Sequence, residues 1–157
     1  MFADAAVAEV TNASSYPRMD DAMTKFGYDW EAIKVTTDDD YILTTFHITG
    51  KTGVASTATE GSVLVMHGDN EDGAEWITAF GDTQHFALKL VDAGFDVWIG
   101  NNRGTEYSWG HVTLDAAKDN EYWNFHWGHM GLYDDKANIE AIKSATGEDK
   151  ISYVGYS

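Results

Sequence analysis

Lys150-Ile151-Ser152-Tyr153-Val154-Gly155-Tyr156-Ser157 is the stretch on which the fold turns. The apolar run from Ile151 to Gly155 suits a strand covered on both faces, as in a parallel sheet. The Gly-x-Ser that follows is the first half of Gly-x-Ser-x-Gly, a tight strand-to-helix turn. Glycines are needed there because a side chain would clash, and the serine hydroxyl is pushed out above the sheet edge. Gly155-Tyr156-Ser157 can equally be a plain serine at a strand end, so the preceding elements carry the weight.

Upstream, Tyr133 to Ala145 is helical, with Ile139 and Ile142 on one face and Gly147 as its stop. Phe95 to Gly100 is a second buried strand. Thr83 to Ala93 is a helix, with Phe86, Leu88, Leu90 and Val91 at helical spacing and Gly94 as its cap. Ser62 to Met66 is a third buried strand. Strand, helix, strand, helix, strand implies right-handed βαβ crossovers, hence an α/β fold with a mostly parallel sheet. Glu31 to Val35 and Tyr41 to Ile48, around Asp38-Asp39-Asp40, read as an N-terminal antiparallel hairpin. Lys51 to Gly61 reads as a loop, and Ser108 to Met130 as aromatic-rich and irregular. Residues 1–26, with the only proline, Pro17, read as an N-terminal arm or short helix. Residues 27–157 read as the N-terminal part of one domain.

Composition narrows the function classes. A chain of 157 residues can bury about 70% of its unfolded surface. A net charge of −16 repels phosphate backbones, which disfavours nucleic acid and anionic lipid. A solvated surface accounts for the same charge without any partner. With no cysteine, neither a disulfide framework nor a thiolate metal site is available. No stretch reaches the roughly 18 apolar residues of a membrane span. Met1-Phe2-Ala3-Asp4-Ala5 lacks the basic region and apolar core of a signal peptide. A sequon, Asn12-Ala13-Ser14, matters only in a secreted protein.

His67-Gly68 ends the strand from Ser62 to Met66. Ester hydrolysis needs backbone N–H donors aimed at a developing oxyanion, and the loop after such a strand supplies one. His-Gly also occurs in ordinary turns. Taken together, several segments resemble the acid (gastric and lysosomal type) lipase family of the α/β-hydrolases. They are Val35 to Leu43, then His67-Gly68 with Trp76 nine positions on. The run Leu90 to Gly104, which contains Asp92-Ala93-Gly94-Phe95-Asp96-Val97-Trp98-Ile99-Gly100-Asn101, is the most telling. Tyr122-Trp123-Asn124-Phe125, Tyr133-Asp134 and Lys150 to Ser157 complete the set.

The resemblance implies a partial α/β-hydrolase fold and a carboxylic ester hydrolase acting on neutral lipid esters such as triacylglycerols or steryl esters. It implies Ser157 as acyl nucleophile and the backbone N–H of Asp69 as an oxyanion donor. It gives His67, Gly68 and Trp76 as substrate contacts, with no cofactor and no metal. In this fold the triad acid and histidine follow the serine, so neither falls within residues 1–157. None of His47, His67, His85, His111, His126 and His129 occupies the catalytic place. The chain is therefore expected to be an inactive fragment of a secreted or lysosomal protein with at most interfacial membrane contact. The sequence is silent on oligomeric state.

Asp69 departs from the pattern, since the residue after His-Gly is usually apolar in this family. A carboxylate about 6 Å from an oxyanion costs roughly 3 kcal/mol at an effective dielectric of 20, on the order of 100-fold in rate. That weakens a triacylglycerol lipase more than an ester hydrolase in general, and an esterase without interfacial activation shares the same residues. It also favours the rival reading, a non-catalytic α/β-hydrolase-fold module for binding or structure.

Four further groups have two readings each. Arg103 either binds a substrate carboxylate or forms a buried ion pair that fixes its loop. His126 and His129, with Asp134 and Asp135, are spaced too loosely for the usual metal site. Trp123, Phe125, Trp127 and Met130 line an acyl pocket or pack in a core. Asp134 and Asp135 cap or charge the start of a helix.

Overall fold

A computed structural model describes residues 9–11, 15–56, 58–79 and 85–157. The sequon at 12–14 and the expected helix start at Thr83 lie outside the described residues. Seven strands form one sheet: β1 (Glu9–Thr11), β2 (Tyr28–Thr36), β3 (Tyr41–Lys51), β4 (Ser62–Met66), β5 (Asp96–Gly100), β6 (Gly110–His111) and β7 (Ser152–Gly155). Their order is β1-β2-β3-β5-β4-β7, with the short β6 also on β3. The first three strands and the β3–β5 and β3–β6 pairs are antiparallel, whereas β5, β4 and β7 run parallel. This is the mixed sheet of a partial α/β-hydrolase fold. The hairpin turns at Asp38 to Asp40, where Asp40 adopts φ +71°, a left-handed conformation that Asp tolerates in turns.

The period of two along each strand divides the core into two layers. Val63, Val65, Val97 and Ile99 face one side, with Ala32, Phe46 and Ile48. Over them lie α1 (Pro17–Phe26), α2 (Glu75–Thr78) and α3 (Phe86–Asp92), through Met19, Met23, Ile77 and Leu88. Leu64, Met66 and Trp98 face the other side, against Tyr122 and against Ile142 of α5 (Asp135–Thr146). With helices on both faces, β4 is buried at all five positions, as its unbroken apolar run requires.

The segment read as irregular contains β6, a 3₁₀ turn at Asn120–Trp123, a one-turn α4 (Trp127–His129) and a π turn at Met130–Asp134 that leads into α5. β7 pairs with β4 on one side and, among the described residues, its other edge is open. At the tip of β5, a Cβ on Gly100 would land on Met66 Sδ, so the two strand ends meet by the absence of a side chain.

Candidate functional site

Parallel pairing fixes where the motifs meet. Met66 lies opposite both Gly100 and Gly155, so the ends of β5, β4 and β7 share one edge of the sheet. Tyr156 N–H donates to Met66 O at 3.1 Å, which starts the bend out of β7. Ser157 then adopts φ +54°, a left-handed conformation rare for a serine. Strain of that kind belongs to the Gly-x-Ser turn.

Gly68 packs against this turn. A Cβ placed on it would stand 2.8 Å from Tyr156 Cδ1, 3.0 Å from Ser157 Cβ and 3.2 Å from Glu71 Oε2. Only a glycine lets the loop after β4 lie this close to Ser157. His67, Gly68, Asp69 and Ser157 thus line one open cavity of about 1160 Å³. Trp76 does not line it. That indole sits on α2 against Phe86, with ring centroids 5.3 Å apart, and its buried N–H has no partner among the described residues.

His67 is a staple between loops. Its Nδ1–H donates to Gly68 O at 2.8 Å, and its Nε2 accepts the Asn102 N–H at 3.1 Å. Both contacts are met together only by the neutral imidazole. The loop is also braced from α1, where Arg18 reaches Asp72 at 2.8 Å and Glu75 at 2.5 Å. Asn101 Oδ1 accepts the Gly73 N–H at 2.8 Å, tying the same loop to β5. The Asp69 carboxylate turns onto its own loop and accepts the Asn70 N–H at 3.0 Å. Glu71 accepts the Gly68 N–H at 3.2 Å.

Beyond β5, Arg103 is 1% exposed and forms the buried ion pair of the second reading above. Its guanidinium grips Asp39 at 2.6 and 2.7 Å, bonds Asp134 at 2.7 and 2.8 Å, and lies 3.8 Å over the Tyr41 ring. Burial alone pulls this guanidinium down, but hydrogen bonds to Asp39 and Asp134 outweigh it and leave its pKa raised. Burial pushes Asp39 up, yet its bonds to Arg103 and Thr37 hold it below the usual carboxylate range. For Asp134, fully buried, burial dominates and the shift is upward.

The reading of Asp134 and Asp135 as acids that cap or charge a helix start holds for Asp135, in the first turn of α5, and is corrected for Asp134, which makes no capping hydrogen bond. The π turn carries the coil upstream of α5, so Asp134 lies inside it and serves Arg103. Asp135 also accepts the Tyr153 hydroxyl at 3.1 Å beside the cavity. Burial raises both, Tyr153 to about 12.

Trp123, Phe125, Trp127 and Met130 all line the cavity. Trp127 is 84% exposed, the most open large apolar residue among those described. His126 and His129 cap each other's turn: His126 Nδ1 accepts the Gly128 N–H and His129 Nδ1 accepts the His126 N–H, both at 3.1 Å. Among the described residues no group of three metal-ligating side chains occurs. No described helix is long and apolar enough to cross a membrane.

The family described as "Partial alpha/beta-hydrolase lipase region" matches residues 19–80. Lipase member K of Mus musculus is 34% identical over 149 residues, 94% of this chain and 37% of that protein. The human lysosomal acid lipase/cholesteryl ester hydrolase is 36% identical over 133 residues, 84% of this chain and 33% of that protein. The chain thus spans about a third of the length of the relatives it matches. An esterase of Pyrococcus furiosus superposes with TM-score 0.57 over 85% of this chain and 44% of that one, at 14% identity, which establishes likeness of fold.

Proposed function

We propose, from the premise that this chain is a homologue of the acid lipases within the α/β-hydrolases, that its whole protein is a serine ester hydrolase acting on neutral lipid esters. The observation that carries the proposal is Ser157 itself, in a left-handed turn, packed on Gly68 at the mouth of the cavity. Ser157 Oγ attacks the ester carbonyl, the C–O bond to the alcohol breaks, and water then cleaves the acyl-enzyme. The Asp69 N–H is assigned as an oxyanion donor, with His67 and Gly68 shaping its loop. Trp76 is left to packing.

The histidine that takes the serine proton, and the carboxylate that orients it, are assigned to the whole protein downstream of Ser157, in the chain order of this fold. His67 lines the cavity but has both ring nitrogens committed. The 157-residue polypeptide alone is therefore expected to leave esters intact. Residues 27–157 are assigned to the front of the hydrolase domain, with 1–26 as a leading segment. A secretory or lysosomal lumen is the proposed location, with substrate met at a lipid interface.

The test is a fluorophosphonate probe on the full-length protein, followed by hydrolysis of short-chain and emulsified long-chain esters. Labelling at Ser157, its loss in Ser157→Ala and turnover of the long-chain ester are expected. A full-length protein that folds but neither labels nor hydrolyses would instead support a non-catalytic α/β-hydrolase module, the reading that the acidic loop after β4 favours.

A further inference from the structure

The contact between Glu71 and Gly68 has no part in the mechanism above. Glu71 Oε2 and Ser157 Cβ both lie within 3.2 Å of one point, the place where a Gly68 Cβ would stand. The carboxylate holds the Gly68 N–H at 3.2 Å, one residue before the assigned oxyanion donor. An anion is thus already bonded to the donor side of the site.

No free cation offsets it among the described residues lining the cavity. Arg103 is spent on Asp39 and Asp134. Arg18 of α1 is spent on Asp72 and Glu75, and both ring nitrogens of His67 are committed to Gly68 and Asn102. The other titratable groups around the cavity are Asp69 and Asp72 on the same loop, Glu106 after β5, Asp135 of α5, and Tyr153 and Tyr156 of the β7 end. None of these adds positive charge.

We propose that Glu71 is a built-in competitor of the oxyanion: its carboxylate, bonded to the Gly68 amide one residue before the assigned donor, opposes the negative charge that develops beside Ser157 and slows acyl transfer. This rests on Ser157 being the nucleophile. At roughly 6 Å and an effective dielectric of 20, one ionised carboxylate slows formation of an oxyanion on the order of 100-fold. The competition is local, since the Asp69 carboxylate is turned onto Asn70.

The experiment measures the second-order rate at which a fluorophosphonate labels Ser157 in the full-length protein. Ser157 Oγ bonds phosphorus, fluoride leaves, and the serine proton goes to the general base. Wild type and Glu71→Gln are compared at about pH 7, where ordinary carboxyl groups are ionised. Their ratio cancels the contribution of the base. Glu71→Gln is expected to label about 10- to 100-fold faster than wild type.

Equal rates overturn the proposal. So does a variant that is slower, the mark of a clip that only shapes the turn. If Glu71→Gln does not fold, Glu71→Ala is judged by the same ratio. If wild type does not label at Ser157 at all, the nucleophile reading itself has failed; if it labels but the ratio stays at one, only the role of Glu71 has.

Discussion

The loop after β5 buries an arginine whose every side-chain nitrogen has a carboxylate partner. The loop after β4, beside it on the same sheet edge, leaves Asp69 in solvent and lends a backbone amide to Glu71. One loop is closed by a buried charge; the other is held by the close packing of Gly68, by the neutral hydrogen bonds of His67 and Asn101, and by the partly exposed Arg18 ion pairs. The difference separates scaffold from site. A buried charge tolerates no change of partner, because the partner left behind stays desolvated. A half-buried turn with acids at its rim can change partners at little cost, and a site that must receive a substrate requires that freedom.

The comparison breaks most visibly at Arg103. Arg103→Met leaves Asp134 buried without its partner and is expected to cost about 3–5 kcal/mol, read by urea unfolding of the full-length protein. Arg103→Lys should recover little of it, since a single ammonium cannot copy the fork that holds both carboxylates. Full stability in either variant would mean that this loop is no scaffold.

Gly68→Ala drives a methyl into Tyr156 and Ser157. It should cost about 1–3 kcal/mol and depress Ser157 labelling more than stability. Labelling that persists at the wild-type rate would show that the close approach is not needed.

A smaller effect belongs to His47, at the opposite end of the strands. Its ring stacks on Trp98 at 3.8 Å and bridges Asp96 at 2.7 Å and Glu31 at 2.9 Å. Burial lowers its pKa, but hydrogen bonds to Asp96 and Glu31 outweigh burial and the net shift is upward. Its stabilisation is complete below about pH 6.5, the ordinary imidazole value, and fades as pH rises through the higher folded value. Thermal melts across this range should fall for wild type and run flatter for His47→Gln. A variant that keeps the wild-type slope assigns that slope elsewhere.

The smallest effect is expected of Asp69→Asn, within about 0.5 kcal/mol of wild type by urea unfolding.

How much of this was legible beforehand follows from what each feature depends on. β4, β5 and β7 are visible because strands covered on both faces need unbroken apolar runs, and Ser62 to Met66 is one. The meeting of His67-Gly68 with Ser157 follows from parallel pairing once those strands are found. Arg103 could be read as a buried ion pair, but its partners, Asp39 and Asp134, lie 64 and 31 residues away, and local spacing does not name them. The π turn at Met130–Asp134 escaped because its sequence, Met-Gly-Leu-Tyr-Asp, holds a breaker, Gly131, and a cap-type residue, Asp134, which argue for a helix start after the turn rather than through it. The Glu71 contact escaped because it pairs a carboxylate with a main-chain amide, and amides have no letter in a sequence. Its only trace was the run of acids where this family usually carries an apolar residue.

Met66 and Gly100 share one volume at the tips of β4 and β5. Any side chain gained at position 100 must displace the end of the Met66 side chain, which a shorter residue at position 66 makes easier. In inheritance the two positions should therefore drift as a couple: lineages that acquire alanine or serine at 100 ought to carry valine or something smaller at 66, and neither change should survive long without the other.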